Sequence, residues 1–409
     1  MREVLRSADS IPTSVVDPIA GEFDALSPAY DVISAARTGQ PAGAIAGGPV
    51  RALQVRAVPP APLPMAQAGA LVPSPSSVDG TLPLADRFGR VASDIRISLT
   101  DRCNLRCEYC MPAEGLPWQP REEHLTADEI IRISRVLVGL GIRTIRLTGG
   151  EPLLRKDLPE IIAALHAIPE LEDVALTTNG VLLERQAAAI AAAGGARLNV
   201  SLDSADPEEF KAITRRDDLD RVLAGLVEAR RHPELRPIKI NAVALKGVTE
   251  GALDGLLAVA SSVDAELRFI EPMPLDADRA WTPDDGLSGA QLRDLLAQRG
   301  ELRPVETAKS ATAQRYELGP GGQVVGFISS VTEPFCASCD RLRLTADGQL
   351  RSCLFSHDET DLRTALRAGA SADELEALIR GAVWAKPQGH GMNEPGFEPP
   401  DRPMSAIGG

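Results

Sequence analysis

Between residues 93 and 272 the chain alternates short β-branched runs with longer amphipathic ones, and that rhythm leaves few folds open. The strand-like runs are IRISLT (95–100), TIRLTGG (144–150), DVALTTNG (173–180), RLNVSLD (197–203), IKINAVAL (238–245) and ELRFIEP (266–272). Helical patterns lie between them: TADEIIRISRVLVGLG (126–141), DLPEIIAALHAI (157–168), LLERQAAAIAAAG (182–194), DLDRVLAGLVEARR (218–231) and GALDGLLAVASSV (251–263). Strands each separated from the next by a helix predict a parallel sheet with right-handed crossovers. Curled, such a sheet is an α/β partial (β/α)6 TIM-like barrel. Ligands in these sheets sit at the C-terminal ends of the strands.

On either side the rhythm stops. Residues 1–82 are expected to be a disordered extension, because 41–82 is crowded with Pro, Ala and Gly that bury little and resist helix and sheet. The acidic residues Glu3, Asp9, Asp17, Glu22, Asp24 and Asp31 argue against an organelle presequence. Residues 83–279 hold the barrel, and 280–409, which lack this rhythm, form a C-terminal region. Within that region CDRLRLTADGQLRSC (339–353) reads as a hairpin turning at Asp347-Gly348. Its two strands bring Cys339 and Cys353 back together. No apolar run is long enough to span a membrane. A net charge of -14 offers no broad basic face to a nucleic acid.

The six cysteines fall into two triplets, Cys103, Cys107, Cys110 and Cys336, Cys339, Cys353. So few in so long a chain do not make a disulfide scaffold, which predicts reduced thiols and a cytoplasmic protein. The first triplet, DRCNLRCEYCMP (101–112), follows the first strand directly, at the ligand-binding edge. Zinc at either triplet would need a fourth ligand, and the nearest histidines, His124 and His357, are not at finger spacing. A [4Fe–4S] cluster held by three thiolates leaves one iron open, which serves a cluster that must bind a substrate or cofactor.

C-x3-C-x2-C after the first strand, with TGGEP (148–152) after the second, resembles the radical S-adenosylmethionine superfamily. Within it the chain is similar to the GTP 3′,8-cyclases, which open molybdenum cofactor biosynthesis. The similarity is carried by FGR (88–90), IRISLTDRCNLRCEYCMP, IRLTGGEPLLR, LTTNG, NVSLD, KINAV, RFIEPMP, FCASCDRLRLTADGQLRSCLF, KPQGHGMN and the terminal GG. It implies a radical lyase with two [4Fe–4S] clusters, S-adenosyl-L-methionine as cofactor and GTP as substrate. It further implies an electron donor, a homodimer, and delivery of the product to cyclic pyranopterin monophosphate synthase. A radical enzyme acting on a peptide, and a non-catalytic electron-transfer protein, are the competing readings.

The resemblance also implies roles for particular residues, with no protein side chain acting as catalytic acid or base. Cys103, Cys107 and Cys110 would hold the first cluster, and Cys336, Cys339 and Cys353 the second. Tyr109, Gly150, Ser201 and Met273 would contact S-adenosylmethionine. Arg96, Arg146, Thr177, Lys239 and the run Arg341, Leu342, Arg343 would contact GTP. The last two glycines, Gly408 and Gly409, would enter the active site as a tail. Two positions depart from the family pattern: Pro272, where many relatives carry another residue, and Thr144, where some carry Lys.

Overall fold

The computed structural model describes residues 82–319 and 322–408. The expected extension, apart from Leu82, lies outside the described residues, and so does Gly409.

All six expected strands form: β1 (Asp94–Ser98), β2 (Thr144–Thr148), β3 (Asp173–Thr178), β4 (Arg197–Ser201), β5 (Lys239–Val243) and β6 (Glu266–Ile270). The expected helices form between them: α1 (Ala127–Gly139), α2 (Leu158–His166), α3 (Leu183–Ala192), α5 (Leu219–Arg230) and α6 (Thr249–Ser262). Helix α4 (Pro207–Thr214) is an addition that eight residues of PEEFKAIT gave too little periodicity to betray. Its start is nevertheless chemically marked. Asp206 accepts from the backbone N–H groups of Glu208 and Glu209, and Pro207 sits at the first position, where its missing N–H costs nothing. Helix α1 starts with a reciprocal capping box between Thr126 and Glu129.

Residues 280–409 do not stand apart from the barrel; one sheet runs across that boundary. They add α7 (Gly289–Ala297), β7 (Leu302–Val305), β8 (Gln314–Leu318), β9 (Gln323–Ile328), β10 (Arg341–Leu344), β11 (Gln349–Arg351), β12 (Thr360–Asp361), α8 (Leu362–Arg367), α9 (Ala372–Trp384) and α10 (Met404–Ile407). The strand order is β12-β11-β10-β1-β2-β3-β4-β5-β6-β9-β8-β7. Strand β9 joins β6 in parallel, and β10 joins β1 in parallel. The expected hairpin is β10–β11, with Gly348 at φ 79° in its turn, a backbone conformation open to glycine.

The two faces of the sheet differ in kind. Ile95, Ile97, Ile145, Leu147, Leu198 and Ile240 point outward and are buried under the helices. Alternation puts the intervening residues on the inner face. Register aligns Arg343, Arg96 and Arg146 across β10, β1 and β2. Thr177 of β3 pairs with Asn199 of β4, which pairs with Lys239 of β5, and Asn241 pairs with Arg268 of β6. The barrel interior is therefore a polar, cationic surface.

A buried carboxylate locks the C-terminal strands to the barrel. Glu271, just after β6, accepts from the backbone of Gly289 (2.9 Å), Val331 (2.8 Å) and Thr332 (2.8 Å), and from the Thr332 hydroxyl. It thus ties the start of α7 and the loop after β9 to one side chain. Replacing Glu271 by Ala strands several buried donors and should cost about 3 kcal/mol of stability. Equilibrium urea unfolding measures this, and an unchanged midpoint would refute the clamp.

Candidate functional site

The loop after β1 carries the first cysteine triplet, and backbone contacts set its course. Gly150 and Glu151 donate through N–H to the carbonyls of Thr100 and Arg102, both at 2.7 Å. A Cβ on Gly150 would lie 2.3 Å from the Arg102 carbonyl oxygen and 2.5 Å from that of Asp101. Only glycine lets the two loops pack this closely. On the other side, α4 delivers the carbonyls of Thr214 and Ile213 to the N–H groups of Arg106 (2.9 Å) and Glu108 (3.0 Å). Arg215, in the left-handed conformation that ends α4, reaches the carbonyls of Arg106 and Met111.

The loop so held lines a cavity with all three thiols of the triplet, and Tyr109, Gly150 and Ser201 line it too. Burial, then the carboxylate of Glu151, raises the Cys103 thiol to about 11. Burial and the neighbouring Cys103 push Cys110 up to about 12, and Cys107 is likewise raised, first by burial. Three thiolates here would repel one another in an apolar cavity. A metal cluster that supplies the missing positive charge fits this donor set.

Around that cavity two buried carboxyls act as braces. Glu151 is pushed up to about 7 by burial, although Asn179 N–H, Leu153 N–H and the Thr178 hydroxyl all donate to it. Asn179 also reaches Cys103 Sγ at 3.7 Å. Asp203, raised to about 6 by burial, accepts from the Tyr109 hydroxyl and from Val243 N–H, each at 2.7 Å. These bonds fix Tyr109 between the second and third cysteines. Neither brace was singled out from sequence, although both lie within quoted motifs, TGGEP and NVSLD.

A second and larger cavity occupies the barrel interior, about 1190 Å³ with its open mouth, and the second cysteine triplet lines it. Arg96, Arg146, Thr177, Arg341 and Arg343 are on its wall, as are Arg268, Asn199 and Asn241, which sequence reading missed. Strict alternation along β4, β5 and β6 was the available signal for these last three. Lys239 stands at the start of β5, below Asn241, and is not on this wall; burial and then Arg268 lower it to about 7. Leu342 is buried in the outer core, so its side chain points away from the cavity between the two arginines. Met273 lines this second cavity, not the first, and packs beside Leu275, Phe355 and Ile407. Thr144 opens β2 opposite Asp94 and Asp173, outside both cavities, and Pro272 receives the Trp281 indole N–H on its carbonyl.

The charge balance of this interior is incomplete. Among the described residues no ion pair involves Arg96, Arg146, Arg341 or Arg343. Arg96 Nε, Arg146 Nε and Arg341 Nη2 are buried without a hydrogen-bond partner. Burial lowers Arg146 to about 10, with Arg96 adding repulsion, and it lowers Arg96 and Arg343 too. Asp94 offsets part of this charge on Arg96 and Arg146, but buried cations without a close ion pair are costly, and a polyanionic ligand removes that cost.

The tail runs between the cavities. Met404 and Thr177 line both, and Ser405 lines the first. Arg343 donates to the carbonyl of Gly408. Gly408 has φ 90°, and a Cβ there would meet Ser98 Cβ at 3.0 Å and Thr148 Cγ2 at 3.2 Å.

Sequence comparison matches residues 97–260 to the radical SAM superfamily and residues 265–392 to the family described as Molybdenum Cofactor Synthesis C. The chain is 51% identical over 333 residues to a GTP 3′,8-cyclase of Mycobacterium sp. (strain KMS), covering 80% of this chain and 94% of that one. It is 50% identical to the enzyme of that name from Paenarthrobacter nicotinovorans, over 80% of this chain and 97% of the relative. For the Streptomyces coelicolor enzyme of that name the identity is 49%, over 82% and 98%. Among solved structures, Streptococcus suis SuiB matches with a TM-score of 0.50 at 14% identity, over 73% of this chain and 67% of that one, which bears on fold alone.

Replacing Arg341 or Arg343 by Ala should lower affinity for GTP roughly tenfold or more, the worth of about 1.5–3 kcal/mol for a charge-assisted contact. Calorimetric titration of each variant measures it. Unchanged affinity in both would mean that these arginines serve the protein alone.

Proposed function

The chain belongs to the GTP 3′,8-cyclase family within the radical SAM superfamily, and from that premise we propose how its two cavities share one reaction. The activity that goes with this membership is cyclisation of GTP to (8S)-3′,8-cyclo-7,8-dihydroguanosine 5′-triphosphate, the first step of molybdenum cofactor biosynthesis. The observation that carries the assignment of residues is that the two cysteine-lined cavities adjoin, with Thr177 and Met404 on the walls of both.

In this reading Cys103, Cys107 and Cys110 hold the [4Fe–4S] cluster common to the superfamily. Tyr109, Gly150 and Ser201 shape the place for S-adenosylmethionine beside it. When bound, cluster and cofactor supply an electron and a 5′-deoxyadenosyl radical able to take hydrogen from a ribose. The chain's residues do the rest by placement. Asp203 holds Tyr109, and Glu151 holds the strand-end loop that backs Cys103. Arg96, Arg146, Arg341 and Arg343 receive the triphosphate, whose charge balances theirs. Cys336, Cys339 and Cys353, on the wall of the second cavity, would hold a second [4Fe–4S] cluster, which would supply an open iron for the substrate's base. Lys239 stands below the cavity at the start of β5, while Met273 lines its wall.

The tail up to Gly408 closes the space between the cavities and excludes water from it. No described helix is long and apolar enough to cross a membrane. We place the enzyme in the cytoplasm, as a homodimer served by an electron donor, with its product consumed by cyclic pyranopterin monophosphate synthase.

Anaerobic reconstitution should load about eight irons per chain, from two four-iron clusters. Ala at Cys103, Cys107 or Cys110 should abolish reductive cleavage of S-adenosylmethionine. Ala at Cys336, Cys339 or Cys353 should abolish cyclised product while some cleavage survives. Stoichiometric zinc with little iron, or full cyclisation without the second cluster, would refute the assignment.

Removing Gly408 and Gly409 should keep both clusters and cofactor binding but sharply reduce hydrogen abstraction from GTP, followed by deuterium transfer from 3′-labelled substrate. Transfer at the full rate would show that the tail is only an end of the chain.

A further inference from the structure

Lys386 lies two residues past the end of α9 and is 3% exposed. Its three ammonium protons have three acceptors: the Arg341 carbonyl at 2.7 Å, the Cys339 carbonyl at 3.1 Å and Cys339 Sγ at 3.5 Å. A sulfur acceptor at that distance is within ordinary range for so large an atom. Among the described residues no carboxylate pairs with it. The nearby cation Arg90 differs in this respect: it has Asp86 at 2.6 Å and spends its other donors on the carbonyls of Cys336, Pro387 and Gln388. Arg90 therefore brings its own counter-charge, and Lys386 does not.

A buried ammonium needs an anion, because desolvation otherwise costs several kcal/mol. The groups whose negative charge acts on Lys386 are Cys339 and, further off, Cys353. Both belong to the second triplet. We propose that Lys386 is a positioning residue of the second cluster, its ammonium donating to Cys339 Sγ and adding, beside Arg341, a fixed positive charge that raises the cluster's reduction potential. This rests on the reading that the second triplet holds a four-iron cluster. Hydrogen bonds to ligand sulfurs and local charge are the levers by which a protein tunes such a centre. Of the three ligands only Cys339 receives this contact, so the cluster is polarised toward one corner. The same ammonium grips the Arg341 carbonyl, which couples that corner to the start of β10 and its arginines.

The test compares Lys386→Met and Lys386→Arg with the wild type, all full-length and anaerobically reconstituted. Iron content is measured first. A redox titration followed by electron paramagnetic resonance then reads the second cluster, the first being recognised by its response to added S-adenosylmethionine. Loss of the positive charge should make the second cluster harder to reduce. The expected shift in Lys386→Met is about tenfold in the one-electron reduction equilibrium, or ~59 mV toward negative potential. Lys386→Arg, which keeps the charge, should return most of it. Loss of four irons in Lys386→Met with full loading in Lys386→Arg would also support the proposal, since charge would then govern assembly. Eight irons and an unmoved potential in Lys386→Met would overturn it. Loss of the second cluster in both variants would overturn it too, because the lysine would be a staple for two carbonyls. A wild-type protein that loads only four irons would instead sink the second-cluster reading on which the proposal stands.

Discussion

The parallel ladder between β10 and β1 is the interaction on which the functional architecture depends. It pairs Asp94 with Arg341, Arg96 with Arg343 and Ile97 with Leu344. Strand β1 leads into the first cysteine loop, and β10 leaves the second. One ladder thus fixes both triplets against the same inner surface and brings three arginines together, Arg341, Arg343 and Arg96, with Arg146 of β2 next in register. Its other face buries Leu342 and Leu344 with Ile95 and Ile97, and that apolar burial holds the ladder. Those leucines and isoleucines carry the cost of bringing like charges together on the inside.

That cost is considerable, and both ends of the site incur it with opposite sign. The first cavity gathers buried thiols: burial first, then Glu151 beside Cys103 and Cys103 beside Cys110, raises these two to about 11 and 12. The second gathers buried guanidinium groups with unpartnered N–H donors. Each half is complementary to something it does not itself contain: a cationic metal cluster in one, a polyanion in the other. Whatever binds only the folded chain stabilises it by its own binding free energy. The free protein is therefore less stable than its packing alone would make it, and most so at the cavities.

Much of this was legible in the sequence, and the reason differs by element. The six barrel strands and five of the helices between them were visible because local periodicity encodes them directly. The β10–β11 hairpin was visible because a turn at Asp347-Gly348 is a local signal. The pairing of β10 with β1 was not, because a parallel ladder spanning some 240 residues leaves no periodic mark on either strand. Single residues divide likewise. Cysteine spacing was decisive for the two loops, while Asn199, Asn241 and Arg268 sat unremarked on faces that alternation already pointed inward. Met273 lies on the wall of the second cavity, and Leu342 turns its side chain to the core.

The tail contact explains how Arg343 can serve two partners. Gly408 offers it a backbone carbonyl, which is neutral. A carbonyl satisfies one N–H of the guanidinium without cancelling its charge, and a guanidinium has donors to spare. Docking the tail therefore removes a desolvation penalty and leaves the positive field of the cavity intact. A carboxylate in the same place would have neutralised that field and competed with a triphosphate. Glycine suits the fit, because a φ of 90° strains any residue with a side chain and a Cβ would press on Ser98 at 3.0 Å. Backbone offers the only group that meets both conditions here, a neutral acceptor on a residue with no bulk. The tail can accordingly order the arginine before substrate arrives and still leave it free to bind an anion.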